Sequence, residues 1–218
     1  MGKKKINYDY NFSVEGETEK LYFDWLQDLI NNLPDAKRTV TIKSKVEQNP
    51  LKHSKSKLSL TTKKITHICD YEENTKEYDA KFENILRQLK DAKCNKKIKY
   101  ELAYSNFTFD LWIILHKIDC YGSLSNRKNY LSFINKAFNE KFVSLDEYKE
   151  ERNFNRCLSK LSIDDVINAI ERAEFIQNNN VANHKKIYQY CGFKYYKDNP
   201  ALNVYISVKE ILKDCKFI

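Results

Sequence analysis

Apolar and polar positions change rhythm along this chain, and the changes mark out its elements. Tyr8, Tyr10, Phe12 and Val14 alternate with Asn7, Asp9, Asn11 and Ser13, the period of a strand with two unlike faces. At Glu15-Gly16 the alternation stops. Leu21, Trp25 and Leu29, flanked by Tyr22, Leu26, Ile30 and Leu33, then recur at helical spacing until Pro34, so the reading is strand, tight turn, helix. A second short strand is predicted around Arg38 to Val46. The polar, basic stretch that follows, through about Leu60, has no periodicity and reads as an insertion or loop.

Ile65 to Cys69 is a compact apolar run that enters the acidic segment Asp70-Tyr71-Glu72-Glu73. A helix is predicted next, with Tyr78, Phe82, Ile85, Leu86 and Leu89 on one face. A strand around Ile98 to Tyr104 and a helix from near Phe107 follow. Strands alternating with helices imply parallel pairs joined by crossovers. Beyond about Ser125 the spacing is helical near 127–142, 146–160, 163–177 and 200–213. Asn199-Pro200 reads as the cap and first position of the last helix. The expected architecture is a mainly parallel α/β core over residues 1–120, with a basic insertion inside 36–65. A helical region over 121–218 packs on it in one structural unit.

Length and composition narrow the class. A chain of 218 residues suits one core with an appendage, and 4 Gly with 3 Pro leave little room for a turn-rich β-sandwich. Residues 36–65 hold nine basic side chains against one acid, Glu47, which accounts for the whole formal charge of +8. Localised positive charge on a neutral body draws in polyanions, nucleic acid above all. The alternative is a solvated Lys-rich loop. The six cysteines show no CxxC pattern and read as reduced thiols, and no apolar run reaches the ~20 residues of a membrane span. With no apolar signal segment at the start, the expected location is the cytoplasm.

The candidate chemistry lies in carboxylates. Glu15, with Glu17 and Glu19 just after it, follows the first strand, and Asp70, Glu72 and Glu73 follow the third. Parallel neighbouring strands would bring both clusters to one carboxyl edge, where α/β sheets bind ligands. Crowded carboxylates raise one another's pKa, a cost that a hard divalent cation with oxygen ligands removes, so Mg²⁺ or Mn²⁺ is the expected occupant. Such a site cleaves phosphodiesters by activating water and stabilising charge on the attacking and leaving oxygens. Lys43, Lys45, Lys52, Lys55 and Lys57 are the candidates for holding the flanking phosphates. Glu17 and Glu19 also suit the first turn of a helix, whose dipole favours acids. Glu15 and Asp70 each end an apolar strand, where no cap is needed. Trp112 and His116, one turn apart on an apolar helix, read as a buried aromatic and a hydrogen-bonded core histidine. No Walker loop or GxGxxG is present.

Three stretches carry a resemblance. FSVEGETEKLYFDWL resembles the first motif of Toprim-type domains in overcoming-lysogenization-defect nucleases, where a strand delivers Glu-Gly and a second Glu follows. ITHICDYEE is similar to their Asp-x-Asp motif. YSNFTFDLWIILH resembles the Ser-Asn-Pro-x-Phe-Glu-x-Trp-x-x-x-His signature of RloB-like proteins, which are found with restriction-modification loci and related to AbiL-type abortive-infection proteins. The resemblance implies a Toprim-like fold and an Mg²⁺- or Mn²⁺-dependent nuclease or related phosphoryl-transfer enzyme acting on nucleic acid in anti-phage defence. It implies Glu15, Asp70 and Glu72 as catalytic acids, with Glu19 as a further metal ligand. Gly16, Ser105, Asn106, Phe109, Asp110, Trp112 and His116 are the remaining motif positions. Glu72 stands where the motif has Asp, Asp110 where it has Glu, and Phe107 where it has Pro. The competing expectation is a non-catalytic nucleic-acid- or protein-binding subunit of a restriction or toxin complex, with aromatics among basic residues, as in Lys194-Tyr195-Tyr196-Lys197, stacking on bases.

Overall fold

A computed structural model describes residues 5–34, 36–51, 63–94 and 98–218. β1 (Ile6–Val14), β2 (Arg38–Val46), β3 (Lys63–Tyr71) and β4 (Ile98–Asn106) form one sheet in the order β2-β1-β3-β4, with every neighbouring pair parallel. Helix α1 (Glu17–Asn32) follows β1 on the way out to β2, and α2 (Lys76–Cys94) links β3 to β4 in the opposite direction. The order of connections therefore reverses between β1 and β3, and right-handed crossovers running opposite ways place α1 and α2 on opposite faces. Side-chain alternation agrees. Phe12, Val14, Val40, Ile42, Ile68 and Ala103 pack with Tyr22, Phe23, Leu26 and Ile30 of α1. Ile65, Cys69, Tyr71, Ile98, Tyr100 and Tyr104 pack with Phe82, Leu86 and Leu89 of α2.

The second half is mostly helical. It runs through α3 (Asp110–Leu115), a 3-10 turn (Arg127–Asn129), α4 (Tyr130–Phe138), α5 (Leu145–Lys149), α6 (Glu151–Leu158), α7 (Ile163–Ala182) and α8 (Val204–Asp214). All six residues of α3 are buried. Through them the core on the α1 face continues into Tyr130, Tyr148, Phe154, Val166 and Leu212. The same face of the sheet thus meets both α1 and the later helices. Its residues at the carboxyl edge lie under them.

Three particulars differ from the expectation. First, β5 (Ile187–Tyr190) and β6 (Phe193–Tyr196) form an antiparallel hairpin. Cys191 and Gly192 turn it with φ of 51° and 88°, a two-residue loop whose twist suits a hairpin. Second, Tyr195 and Tyr196 are buried, and Tyr195 meets Phe82 edge-on with ring centroids 5.0 Å apart. The Lys-Tyr-Tyr-Lys cluster therefore closes the α2 face and offers no stacking platform. Third, the last helix begins at Val204 after Asn203, while Asn199-Pro200 is a cis peptide upstream of it. Residues 201–203 are drawn off the helix because they pair with the free edge of β4. Asn106 N–H donates to Ala201 O at 2.9 Å, Asn203 N–H to Tyr104 O at 3.0 Å, and Ser105 bridges Leu202. Cys69, Cys120, Cys157, Cys191 and Cys215 are free thiols. No helix among the described residues is long and apolar enough to cross a membrane.

Candidate functional site

β1, β3 and β4 end at one rim, because Val14 is registered with Ile68, and Asp70 with Ser105. Each strand delivers an acid there. The Glu15 Oε2 accepts the Asp70 backbone N–H at 2.9 Å, so the two acidic segments expected to converge are joined directly across the switch point. Gly16 caps α1, and its N–H donates to Glu19 Oε2 at 3.0 Å. A Cβ at Gly16 would lie 3.1 Å from that oxygen, so a side chain here would press on Glu19. Tyr22, Phe23, Leu26 and Ile30 of α1 are fully buried. At roughly 1.5–3 kcal/mol each, they fix the helix whose first turn carries Glu19.

From β4 the chain turns through Phe107 and Thr108 to Asp110. The Thr108 hydroxyl donates to Asp110 Oδ2 at 2.8 Å, and Lys149 Nζ, at the end of α5, stands 3.3 Å from the same oxygen. Asp110 is fully buried. Asp110, Asp70 and Glu19 thus crowd around one ammonium group, and Glu15 adds its charge beside Glu19 and Asp70. Burial pushes the Glu19 carboxyl up to about 7, with Glu15 and Asp110 raising it and Lys149 opposing them. Burial, then Glu19 and Glu15, hold Asp70 well above the usual carboxylate range. For Lys149, burial works against the charge, but Asp110, Asp70 and Glu19 outweigh it and raise its pKa.

Because folding raises the Glu19 pKa from an ordinary 4.5 to about 7, the stability linked to its protonation is complete below 4.5 and lost as pH rises through 7. Asp70 acts in the same direction. The melting temperature measured without divalent metal should fall by several degrees between pH 5 and pH 8. Glu19→Gln should flatten that fall.

Two carboxylate oxygens, Asp70 Oδ1 and Asp110 Oδ1, are buried with no hydrogen-bond partner among the described residues. Oxygen donors in this state match the chemistry of a hard divalent cation. As the side chains lie, no group of three or more His, Cys, Asp or Glu among the described residues forms a ready metal cage.

The other motif positions have distinct places. The Glu72 carboxylate is engaged by Lys81 and, at 3.7 Å, by Arg127. Lys81 also lies 3.8 Å from Glu15. Ser105 and Asn106 hold residues 197–203 along β4, Ser105 bridging Leu202 and Asn106 Nδ2 donating to Lys197 O at 3.0 Å. His116 is a core residue. Its Nδ1 donates to Trp112 O at 2.9 Å, its Nε2 accepts from the Tyr22 hydroxyl at 3.1 Å, and burial pulls its pKa down to about 4. It ties α3 to α1 as a neutral ring. Lys43 and Lys45 are exposed on edge strand β2, and Lys45 is registered with Ser13, two residues before Glu15. Lys52, Lys55 and Lys57 lie outside the described residues.

Sequence reading missed Lys149. One lysine among 38 basic residues, it has no motif, and only the packing of α5 against the sheet edge brings it to Asp110. Arg127 and Lys81 escaped for the same reason.

Fold and rim define an α/β protein that gathers carboxylates at the carboxyl ends of a parallel sheet. The model of the RloB-like protein family matches residues 12–211, and the chain belongs to that family. Searches of curated proteins and of solved structures gave no match.

Proposed function

We propose that this protein is a metal-dependent nuclease of the Toprim type, acting on nucleic acid in defence against phage. The observation that carries the reading is the joined acidic rim. Glu15 is bonded to the Asp70 backbone at the switch point, while Glu19 and Asp70 are held in a state that disfavours their own charge. Proteins keep such costly clusters where they function. Glu15, Glu19, Asp70 and Asp110 are the residues that would hold Mg²⁺ or Mn²⁺. The ion, when bound, supplies a water of lowered pKa and positive charge at the phosphodiester oxygens.

The remaining steps belong to the chain. Thr108 and Lys149 fix the Asp110 carboxylate. Lys149 also brings positive charge to a rim that would otherwise repel a phosphate, and Lys81 does the same between Glu15 and Glu72. Tyr130 and Tyr148, both buried and both with pKa raised by burial and by Asp110 nearby, wall the cluster against bulk water. Lys43 and Lys45 can meet phosphates arriving across β2.

The test compares wild type with Glu15→Gln on DNA and RNA, with and without Mn²⁺ or Mg²⁺. The amide keeps the size of the side chain and an acceptor for the Asp70 N–H. Cleavage that needs metal and falls at least about a thousandfold in the variant supports the reading. Binding preserved in both proteins with no turnover in either favours the accessory-subunit role instead.

A further inference from the structure

The acids of the rim carry a counter-ion of the chain's own. Lys149 Nζ stands 3.3 Å from Asp110 Oδ2, and Asp70 and Glu19 add their attraction to that of Asp110. One ammonium, with a single charge and three donors, serves three carboxyls, and it serves them unevenly. Asp70 Oδ1 and Asp110 Oδ1 are buried without a hydrogen-bond partner among the described residues, and so are Ser105 Oγ and Tyr148 OH. Ser105 is registered with Asp70, so both side chains leave the sheet on one face, side by side. It is the face on which Ile68 and Ala103, two residues earlier in each strand, meet α1. The Tyr148 hydroxyl lies in the field of Asp110 and Glu19. Buried polar atoms are normally paired, so four orphans around one charge cluster call for a partner other than a neighbouring side chain.

Lys149 is held in a way that lets its ammonium leave. It is the last residue of the five-residue helix α5. Tyr148, next to it, is fully buried and packs against Phe142 and Phe154, with ring centroids 5.7 and 5.6 Å away, so the backbone of α5 is anchored. The Lys149 side chain is nevertheless 37% exposed, and its four-carbon stem is flexible. Rotation of that stem carries the ammonium to water with no movement of the helix. Asp110 keeps a second tie when this happens, because the Thr108 hydroxyl donates to it at 2.8 Å.

An ammonium and a divalent ion want the same oxygens, and at a few ångströms they repel each other. The ion brings twice the charge and a shell of waters, each a donor for oxygens that the ammonium leaves unpaired. We propose that Lys149 is a resident cation of the acidic rim, which closes the site in the metal-free protein and is displaced towards solvent when a divalent ion binds. The proposal rests on the nuclease reading for the ion and adds how the site is kept shut. The stem keeps the displaced ammonium at the rim, where it can meet a phosphate. A lysine that only orients Asp110 would help the ion to bind, whereas a resident cation opposes it, so the two roles differ in sign.

The first measurement uses the native sequence. Lysines of the folded protein are acetylated at pH 8, with and without saturating Mg²⁺, and the modified positions are read by peptide mass spectrometry. Labelling of Lys149 should rise at least about threefold with Mg²⁺, while that of Lys43 and Lys45, exposed on β2, stays level. The second is calorimetric titration of Mn²⁺. Lys149→Gln, checked for folding by its melting curve, should bind at least about tenfold tighter than wild type. Lys149→Arg, which keeps the charge, should bind no tighter. Labelling of Lys149 that stays level or falls in saturating metal, or a folded Lys149→Gln that binds Mn²⁺ no tighter than wild type, overturns the proposal and leaves the nuclease standing. Failure of the nuclease reading looks different, since Mn²⁺ then binds and frees Lys149 while neither DNA nor RNA is cut. Absence of Mn²⁺ binding in wild type and Lys149→Gln alike removes both.

Discussion

Lys149→Met lowers the melting temperature of the metal-free protein at pH 8 by about 4–8 °C, and Asp110→Asn in the same chain restores most of the loss. The reason is the company Lys149 keeps. Its ammonium, 3.3 Å from a fully buried carboxylate, also opposes the charges of Glu19 and Asp70. Breaking a buried pair from one side costs about 3–5 kcal/mol because the other charge is left alone. The Lys149 side chain is 37% exposed, so solvent screening trims this to about 2 kcal/mol. In a domain of this size 1 kcal/mol moves the midpoint by about 2–4 °C. Thermal melts of the two single variants and the double variant form a cycle, and its coupling energy reports the pair itself. Additive losses would show that Lys149 contributes by packing its stem alone.

Asp70→Asn should have the opposite sign on stability and a larger effect on activity. The carboxyl of Asp70 is held well above its ordinary pKa, first by burial and then by Glu19 and Glu15. An amide of the same shape removes the charge that this environment resists. The metal-free variant should therefore melt several degrees above wild type at pH 8, and the gap should narrow towards pH 5 as the wild-type carboxyl, with its pKa raised by burial, takes up its proton. Metal-dependent cleavage should fall at least about a thousandfold, since the variant loses a hard oxygen donor at the centre of the rim. Melting curves at the two pH values together with a cleavage assay check both halves. A variant that is destabilised at pH 8 would mark Asp70 as a structural residue held by its neighbours.

Much of this site was legible because strand ends are legible. Glu15 and Asp70 each close an apolar run, and a parallel sheet leaves such residues one meeting place, the carboxyl edge. The register of β1 with β3 placed them there. Asp110 was carried only by the resemblance of YSNFTFDLWIILH to a family motif, and its burial against Thr108 and Lys149 gives that resemblance a physical meaning. Glu19 combines two expectations in one side chain, since it accepts the N–H of Gly16 as a helix-start acid does and also belongs to the cluster.

What escaped was whatever depends on distant packing. Lys149 is a surface-type residue on a five-residue helix, and nothing local distinguishes it. The hairpin of β5 and β6 was hidden because four-residue strands carry too short a pattern to stand out among helices, although Cys191-Gly192 between aromatic flanks was a usable turn signal. Asn199-Pro200 is a sound local cap pattern that lost to a tertiary demand. The free edge of β4 needed partners for its backbone, and residues 201–203 supplied them. His116 sits where its apolar helix suggested, in the core, even though it occupies a motif position.

On the proposed function, Glu15, Glu19, Asp70 and Asp110 together hold one divalent cation. Calorimetric titration of Mn²⁺ into metal-free protein at pH 8 tests it most directly, with Asp70→Asn and Glu19→Gln run beside wild type. Saturable binding by wild type, weakened at least about tenfold in each variant, is the expected result. Binding of equal strength in all three proteins, or none to wild type, would contradict it.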